Sequence, residues 1–136
     1  MQEMQAVKQA DILISGGGMV GLPLGLALAQ GGLKVLVVDA APPATALDPK
    51  FDGRVSALAY ASVRMLAALG VWESLKPHAQ PIREILVTDG QAGKAASPFS
   101  LHFDAQEVGA DALGHIAENR HIRTALHEAA ARQAKL

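Results

Sequence analysis

Apolar positions in this 136-residue chain come in blocks whose spacing changes along its length. Ile12-Leu13-Ile14 is a short continuous apolar run, as in a buried strand, and Gly16-Gly17-Gly18 interrupts it. From Met19 the apolar side chains resume through Leu22, Leu24, Leu26 and Leu28 and stop at Gly31-Gly32, which predicts a helix with a glycine end. Val35-Leu36-Val37-Val38 predicts a second buried strand, closed by Asp39. Residues 12–33 carry no charge, the length of a membrane span, but their glycines, Pro23 and the strand-like start predict a buried βα unit instead. Gly25 and Gly32 are small enough to let the helix lie close to the sheet and then stop.

Beyond Asp39 the pattern loosens. Residues 40–50 are rich in Pro, Ala and Asp and predict a surface loop. Residues 56–69 have helical spacing, with Ser56 as cap, Gly70 as stop and Leu58, Met65, Leu66 and Leu69 on the core face. Val71–Leu75 adds a short helical turn. Pro81 opens a predicted strand over 82–89 that ends at Asp89-Gly90, and residues 91–98 form a loop. Residues 99–103 alternate apolar and polar as a strand pairing antiparallel with it. A third short strand is expected over 113–118. A helix over 120–134 follows, with Ile122, Leu126 and Ala130 on one face. That helix meets no Gly, Asn or Pro before Leu136, and only two parallel strands precede it. The expectation is an α/β chain truncated before its third parallel strand, the N-terminal part of a longer protein whose open sheet edge offers a neighbouring chain a place to associate.

Composition narrows the classes. Half the residues are apolar and the formal charge is −1, so a globular domain is expected and nucleic acid has no basic footprint to meet. Without cysteine there are no disulfides, thiol nucleophiles or cysteine metal sites. Residues 1–10 are polar, with no apolar secretory core, and read as a flexible lead-in. His78, His102, His115, His121 and His127 are dispersed and form no His-Glu-x-x-His, so no metal site is expected. No Gly-x-Ser-x-Gly elbow occurs and no carboxylate pair stands out, so no catalytic residue is assigned.

The glycines carry the chemistry. Gly16, Gly18 and Gly21 fill G-x-G-x-x-G between a strand and a helix. The first makes the tight turn, the second lets backbone approach a pyrophosphate, and the third lets helix pack on strand. The first helical amides then face the phosphates at the positive end of the helix dipole. Asp39, at the end of the second strand, is placed to accept hydrogen bonds from a ribose diol. Leu22 and Pro23 stand where a P-loop needs Lys and Ser/Thr, which argues against triphosphate hydrolysis. Asp39 suits a flavin or a nicotinamide dinucleotide alike. Ala40, Ala41, Pro42 and Pro43 supply no arginine for a 2′-phosphate.

Asp52-Gly53-Arg54 by itself reads as a turn with surface charges, and Asn119 as a helix N-cap. The order of motifs adds to this. The glycine unit ending in an acid is followed by Asp-Gly-Arg-x-x-Ala-Leu over 52–58 and Leu-Gly-Val-Trp over 69–72. Ala79-Gln80-Pro81-Ile82, Val87-Thr88-Asp89-Gly90 and the stretch Ala112–Asn119 come next. This succession resembles the FAD-dependent aromatic hydroxylases, and within them the ubiquinone-biosynthesis hydroxylases, closest to the 2-polyprenyl-6-methoxyphenol hydroxylases, over almost the whole chain from Asp11. The resemblance implies the N-terminal part of a Rossmann-like FAD-binding domain, a βαβ unit with further helices and a small antiparallel strand set. Residues 11–136 would form it, with 82–118 contributing strands toward the substrate-domain sheet.

The resemblance further implies that FAD is bound by Gly16, Gly18, Met19, Val20, Gly21, Asp39, Ala40, Arg54 and Asn119. The glycines would take the pyrophosphate, Asp39 the adenosine ribose, and Arg54 the middle of the flavin. Asp39 stands where many flavoproteins have Glu. The Asp-Gly segment and later Gly-Asp-Ala motif that close the flavin site in such enzymes do not appear in the matching places. In the intact protein the implied activity is hydroxylation of a polyprenylated phenol in ubiquinone biosynthesis with NAD(P)H and O2, inactive in this portion alone. It would occur in the cytoplasm, peripheral to the inner membrane. Two other readings stay open: a non-catalytic dinucleotide-binding or oligomerising fragment, and an NAD-dependent dehydrogenase half-domain, which leaves Asp-Gly-Arg unexplained.

Overall fold

The computed structural model describes residues 9–42, 47, 50, 52–90, 93–94 and 98–136. The predicted lead-in and the predicted loops over 40–50 and 91–98 lie largely outside them. The first unit forms as the apolar pattern predicts: β1 (Ile12–Ser15), α1 (Gly21–Gln30) and β2 (Val35–Val38), with β1 and β2 parallel and Ile12 opposite Val35. Pro23 sits in the first turn of α1, where its missing N–H has no helical partner to lose. Gly25 packs on the sheet, since a Cβ there would lie 3.2 Å from Val37 and 2.7 Å from Leu136.

The rest of the chain builds two antiparallel sheets. One has the order β3-β7-β4, from β3 (Val55–Ala59), β4 (Ala79–Ile82) and β7 (Gly114–Glu118). The other is a two-stranded ribbon of β5 (Glu84–Thr88) and β6 (Ser100–Asp104), paired antiparallel as the alternating pattern predicts. Helices α2 (Tyr60–Ala68), α3 (Trp72–Leu75) and α4 (Asn119–Arg132) complete the order, with 3₁₀ turns at Lys76–His78 and Ala105–Val108. Leu22 and Leu26 of α1 meet Ile122, Leu126 and Ala129 of α4, with Leu66, Val71, Trp72 and Leu75 closing the core beside Ala117 of β7.

Residues 55–59 are strand, and the helix starts only at Tyr60, so Ser56 is no cap. The Ala/Leu-rich segment has helical propensity, but pairing with β7, Val55 opposite Glu118, overrides it. Leu66 and Leu69 are buried as predicted, whereas Met65 is exposed.

The strand expected over 82–89 forms as β5, Glu84–Thr88, while Ile82 ends the preceding strand β4. The chain leaves β4 at Arg83, whose carbonyl accepts the Ala105 amide, and enters a different sheet. The last helix ends at Arg132 despite lacking a stop residue. Gln133 is extended, the Lys135 carbonyl accepts the Val35 amide at 2.8 Å or less (2.7 Å), and Lys135 Nζ reaches the Gly32 carbonyl. Tertiary bonds replace the missing stop signal, and they occupy one position on the free edge of β2.

Leu126 is fully buried at the centre of the main cluster. Leu126→Ala is expected to cost about 3 kcal/mol. Urea unfolding should show a lower midpoint with an unchanged m-value.

Candidate functional site

The site begins where β1 runs out. Gly16 adopts φ +105°, and its amide donates to the Val38 carbonyl at 2.7 Å, tying the turn to β2. A Cβ on Gly21 would fall inside the Gly16 carbonyl oxygen, so only glycine lets α1 start this close to β1. Gly18 faces open space. The Leu22 amide returns to the Gly18 carbonyl at 3.1 Å. The amides of Gly18, Met19, Val20 and Gly21 have no acceptor among the described residues. Met19 and Val20 are exposed. Four unpaired N–H groups at a helix start, with room in front of Gly18, form an anion cradle of the kind a pyrophosphate fills.

Asp39 closes the cradle from β2. Its Oδ2 accepts the Gly17 amide at 2.6 Å and its Oδ1 the Ala41 amide at 2.8 Å, with Ala40 exposed between. The Ala41 and Gly17 hydrogen bonds hold its carboxyl below the usual carboxylate range, and the charge of His127 adds to this. A carboxylate offers about four lone-pair positions. Two remain for a diol after these bonds, so the residue grips its own turn and keeps capacity for a ribose.

A second group assembles around the Asp-Gly-Arg turn. Asp52 Oδ2 accepts Arg54 Nη2 at 2.7 Å and Nε at 3.1 Å, while Oδ1 accepts the Arg54 amide at 3.1 Å. Arg123 Nη2, from α4, reaches the same Oδ2 at 3.3 Å. Bonding from Arg54 first, then from Arg123, lowers the Asp52 carboxyl to about 2. The Arg54 carbonyl accepts the Asn119 amide at 3.1 Å, extending the β3–β7 ladder. The buried Asn119 side chain accepts Ser56 Oγ at 2.7 Å. Asn119 is therefore not the helix N-cap, a position held by Glu118. It bonds across to β3, the strand that sequence propensity disguises.

Helix α4 links the two groups. Asn119, Arg123 and His127 lie at successive i, i+4 positions on one face, from the Arg54 carbonyl past Asp52 toward Asp39. Gly16, Gly18, Met19, Val20, Gly21, Asp39 and Ala40 are gathered at the turn between β1 and α1 and the end of β2, and Arg54 with Asn119 beside Asp52. Sequence reasoning missed Gly17, whose signal was the unbroken glycine triplet, and Arg123, whose signal was its spacing from Asn119. It also treated the histidines as dispersed. His78 and His121 in fact stack, with ring centroids 4.1 Å apart.

Comparison with known proteins fits this geometry. The family described as FAD binding domain matches residues 9–134. Ubiquinone hydroxylase UbiL of Rhodospirillum rubrum is 43% identical over 121 residues, covering 89% of this chain and 27% of its own length. Ubiquinone hydroxylase UbiM of Neisseria meningitidis is 34% identical, covering 88% of this chain and 26% of its own. The chain thus spans about a quarter of the length of these relatives. In structure, aklavinone-11 hydroxylase, solved with FAD and aklavinone, superposes with TM-score 0.63 at 20% identity, over 96% of this chain and 25% of its own. That likeness shows a shared fold.

Two outcomes test the geometry. Gly21→Ala should cost about 3 kcal/mol or more, because the clash is with backbone and not with a movable side chain. Thermal unfolding measures it. The Asp52 carboxyl should titrate near 2 by NMR. Since its folded value is depressed, its contribution to stability is full above the unfolded value of about 3.9 and disappears as pH falls through the folded one.

Proposed function

This chain belongs to the FAD binding domain family, and on that premise we propose that it holds the flavin of a monooxygenase that hydroxylates a polyprenylated phenol in ubiquinone biosynthesis. The observation that carries the reading is the cradle: four amides at Gly18–Gly21 with no acceptor among the described residues, beside an ionised Asp39 with spare acceptor capacity. Gly16, Gly18, Met19, Val20 and Gly21 take the pyrophosphate. Asp39, with Ala40 beside it, takes the adenosine ribose, and Arg54 and Asn119 serve the middle of the cofactor. Bound FAD supplies the redox chemistry, with NAD(P)H as reductant and O2 as oxidant. The protein residues described here bind and orient it and contribute no acid, base or nucleophile.

The substrate class rests on the two ubiquinone hydroxylases among the relatives. Residues 82–118 contribute strands toward the substrate-side sheet in this reading. The β5–β6 ribbon exposes Ile85, Leu86, Val87, Leu101 and Phe103, and a two-stranded ribbon needs further partners to be stable. A polyprenyl tail suits work at a membrane face, and the reading proposed is a cytoplasmic protein peripheral to the inner membrane. Among the described residues no helix is long and apolar enough to cross a membrane. Association through the β1–β2 sheet belongs to the proposal only away from Val35, whose amide is already bonded.

The full chain should purify with FAD and oxidise NAD(P)H in the presence of a polyprenylated phenol and O2, with the hydroxylated ring identified by mass spectrometry. Asp39→Ala should weaken FAD binding about tenfold in a fluorescence titration. Unchanged affinity removes Asp39 from the site. Tight binding of NAD in place of FAD favours the dehydrogenase reading.

A further inference from the structure

We propose that Arg123 is a positioning residue for the flavin site: it retains the Asp52 carboxylate when Arg54 turns from Asp52 to the cofactor. The inference rests on the FAD reading of Arg54 and adds to it a residue on a different element, with a defined exchange of partners.

Two guanidinium groups share one carboxylate oxygen, Arg54 at 2.7 Å and Arg123 at 3.3 Å, both on Asp52 Oδ2. They are not equivalent. The Arg54 side chain is 69% exposed on a turn, whereas that of Arg123 is 20% exposed on the long helix α4. The main chain of Arg54 is held at both polar atoms, its amide by Asp52 Oδ1 and its carbonyl by the Asn119 amide. Its side chain can therefore rotate while its Cα stays in place. Arg123, mostly buried and one helical turn beyond Asn119, is the fixed partner.

Phosphate or ribityl oxygens of the incoming cofactor's middle portion compete with Asp52 for the Arg54 guanidinium, because both present oxygen acceptors of matching geometry. Were Asp52 paired with Arg54 alone, the exchange would leave a bare carboxylate beside a bound phosphate, and their repulsion would oppose binding. Arg123 removes that obstacle. Arg123 holds the same Oδ2 from α4, so Asp52 keeps a cationic partner when Arg54 leaves.

The test is FAD affinity in the full chain, measured by flavin fluorescence for Arg54→Ala, Arg123→Ala, Arg123→Lys, Asp52→Asn and the double variant Asp52→Asn/Arg123→Ala. Arg123→Ala should weaken FAD about tenfold, and Arg123→Lys should recover part of the loss. The decisive readout is suppression. Asp52→Asn removes the competing charge, so the double variant should return to within about twofold of Asp52→Asn alone. A residue that merely props up the fold would not be rescued this way. Unchanged affinity in Arg123→Ala, or a double variant as weak as Arg123→Ala, overturns the proposal. Should Arg123→Ala fail to fold, Arg123→Met keeps the buried stem and is read by the same two criteria. If Arg54→Ala itself leaves FAD affinity unchanged, the FAD reading of Arg54 fails. If Arg54→Ala weakens binding and Arg123→Ala does not, only the exchange fails.

Discussion

The approach of Gly21 to the Gly16 carbonyl is the constraint on which the rest of the site depends. No side chain fits between them, so the first turn of α1 lies directly against the end of β1. That contact fixes the helix axis, and two consequences follow together. The face carrying Leu22 and Leu26 is turned into the core against α4, and the amides from Gly18 to Gly21 are left without acceptors among the described residues. Burial of the uncharged helix holds in place a helix end that would otherwise seek water or a cap. Asp39 then fastens the loop from the other strand by accepting the Gly17 amide.

How much of this was legible depended on where each deciding partner lay in the chain. The βαβ unit was readable because its causes are local: an apolar run, a glycine turn, a glycine stop and an acid at the strand end. Residues 55–59 were not, because their strand state is imposed by β7, and Ala-Leu-Ala has no β preference of its own. The same missing partner hid the role of Asn119. As a helix-start Asn it looked like a cap, yet its side chain bonds Ser56 on the strand that propensity had assigned to a helix. Once one assignment changes, the other follows.

The break at Arg83 and the end of α4 share that character. An unbroken β-like sequence crosses from one sheet to another at Arg83, because β4 has β7 beside it and β5 has β6. Helix α4 ends where Lys135 becomes a partner for Val35 and Gly32, not where the sequence supplies a breaker. The candidate residues rest on different grounds. Gly16, Gly18, Gly21 and Asp39 were proposed from spacing alone, while Arg54 and Asn119 needed the order of motifs and the resemblance it carried.

On the proposed FAD reading, the charges of the site explain why two arginines surround one aspartate. The cradle itself is built from backbone and uncharged side chains, and a helix N-terminus offers an anion the equivalent of only about half a positive charge. A pyrophosphate carries more than that, and Asp39 contributes in the wrong sense for phosphate while serving a diol. A full cation is required nearby, yet a lone arginine on an exposed turn would lose much side-chain freedom on being held in position. Asp52 supplies that positioning, at the risk of keeping the arginine for itself. Arg123 resolves the conflict by giving Asp52 a second partner on a rigid helix, so the turn is held in place and its guanidinium remains available.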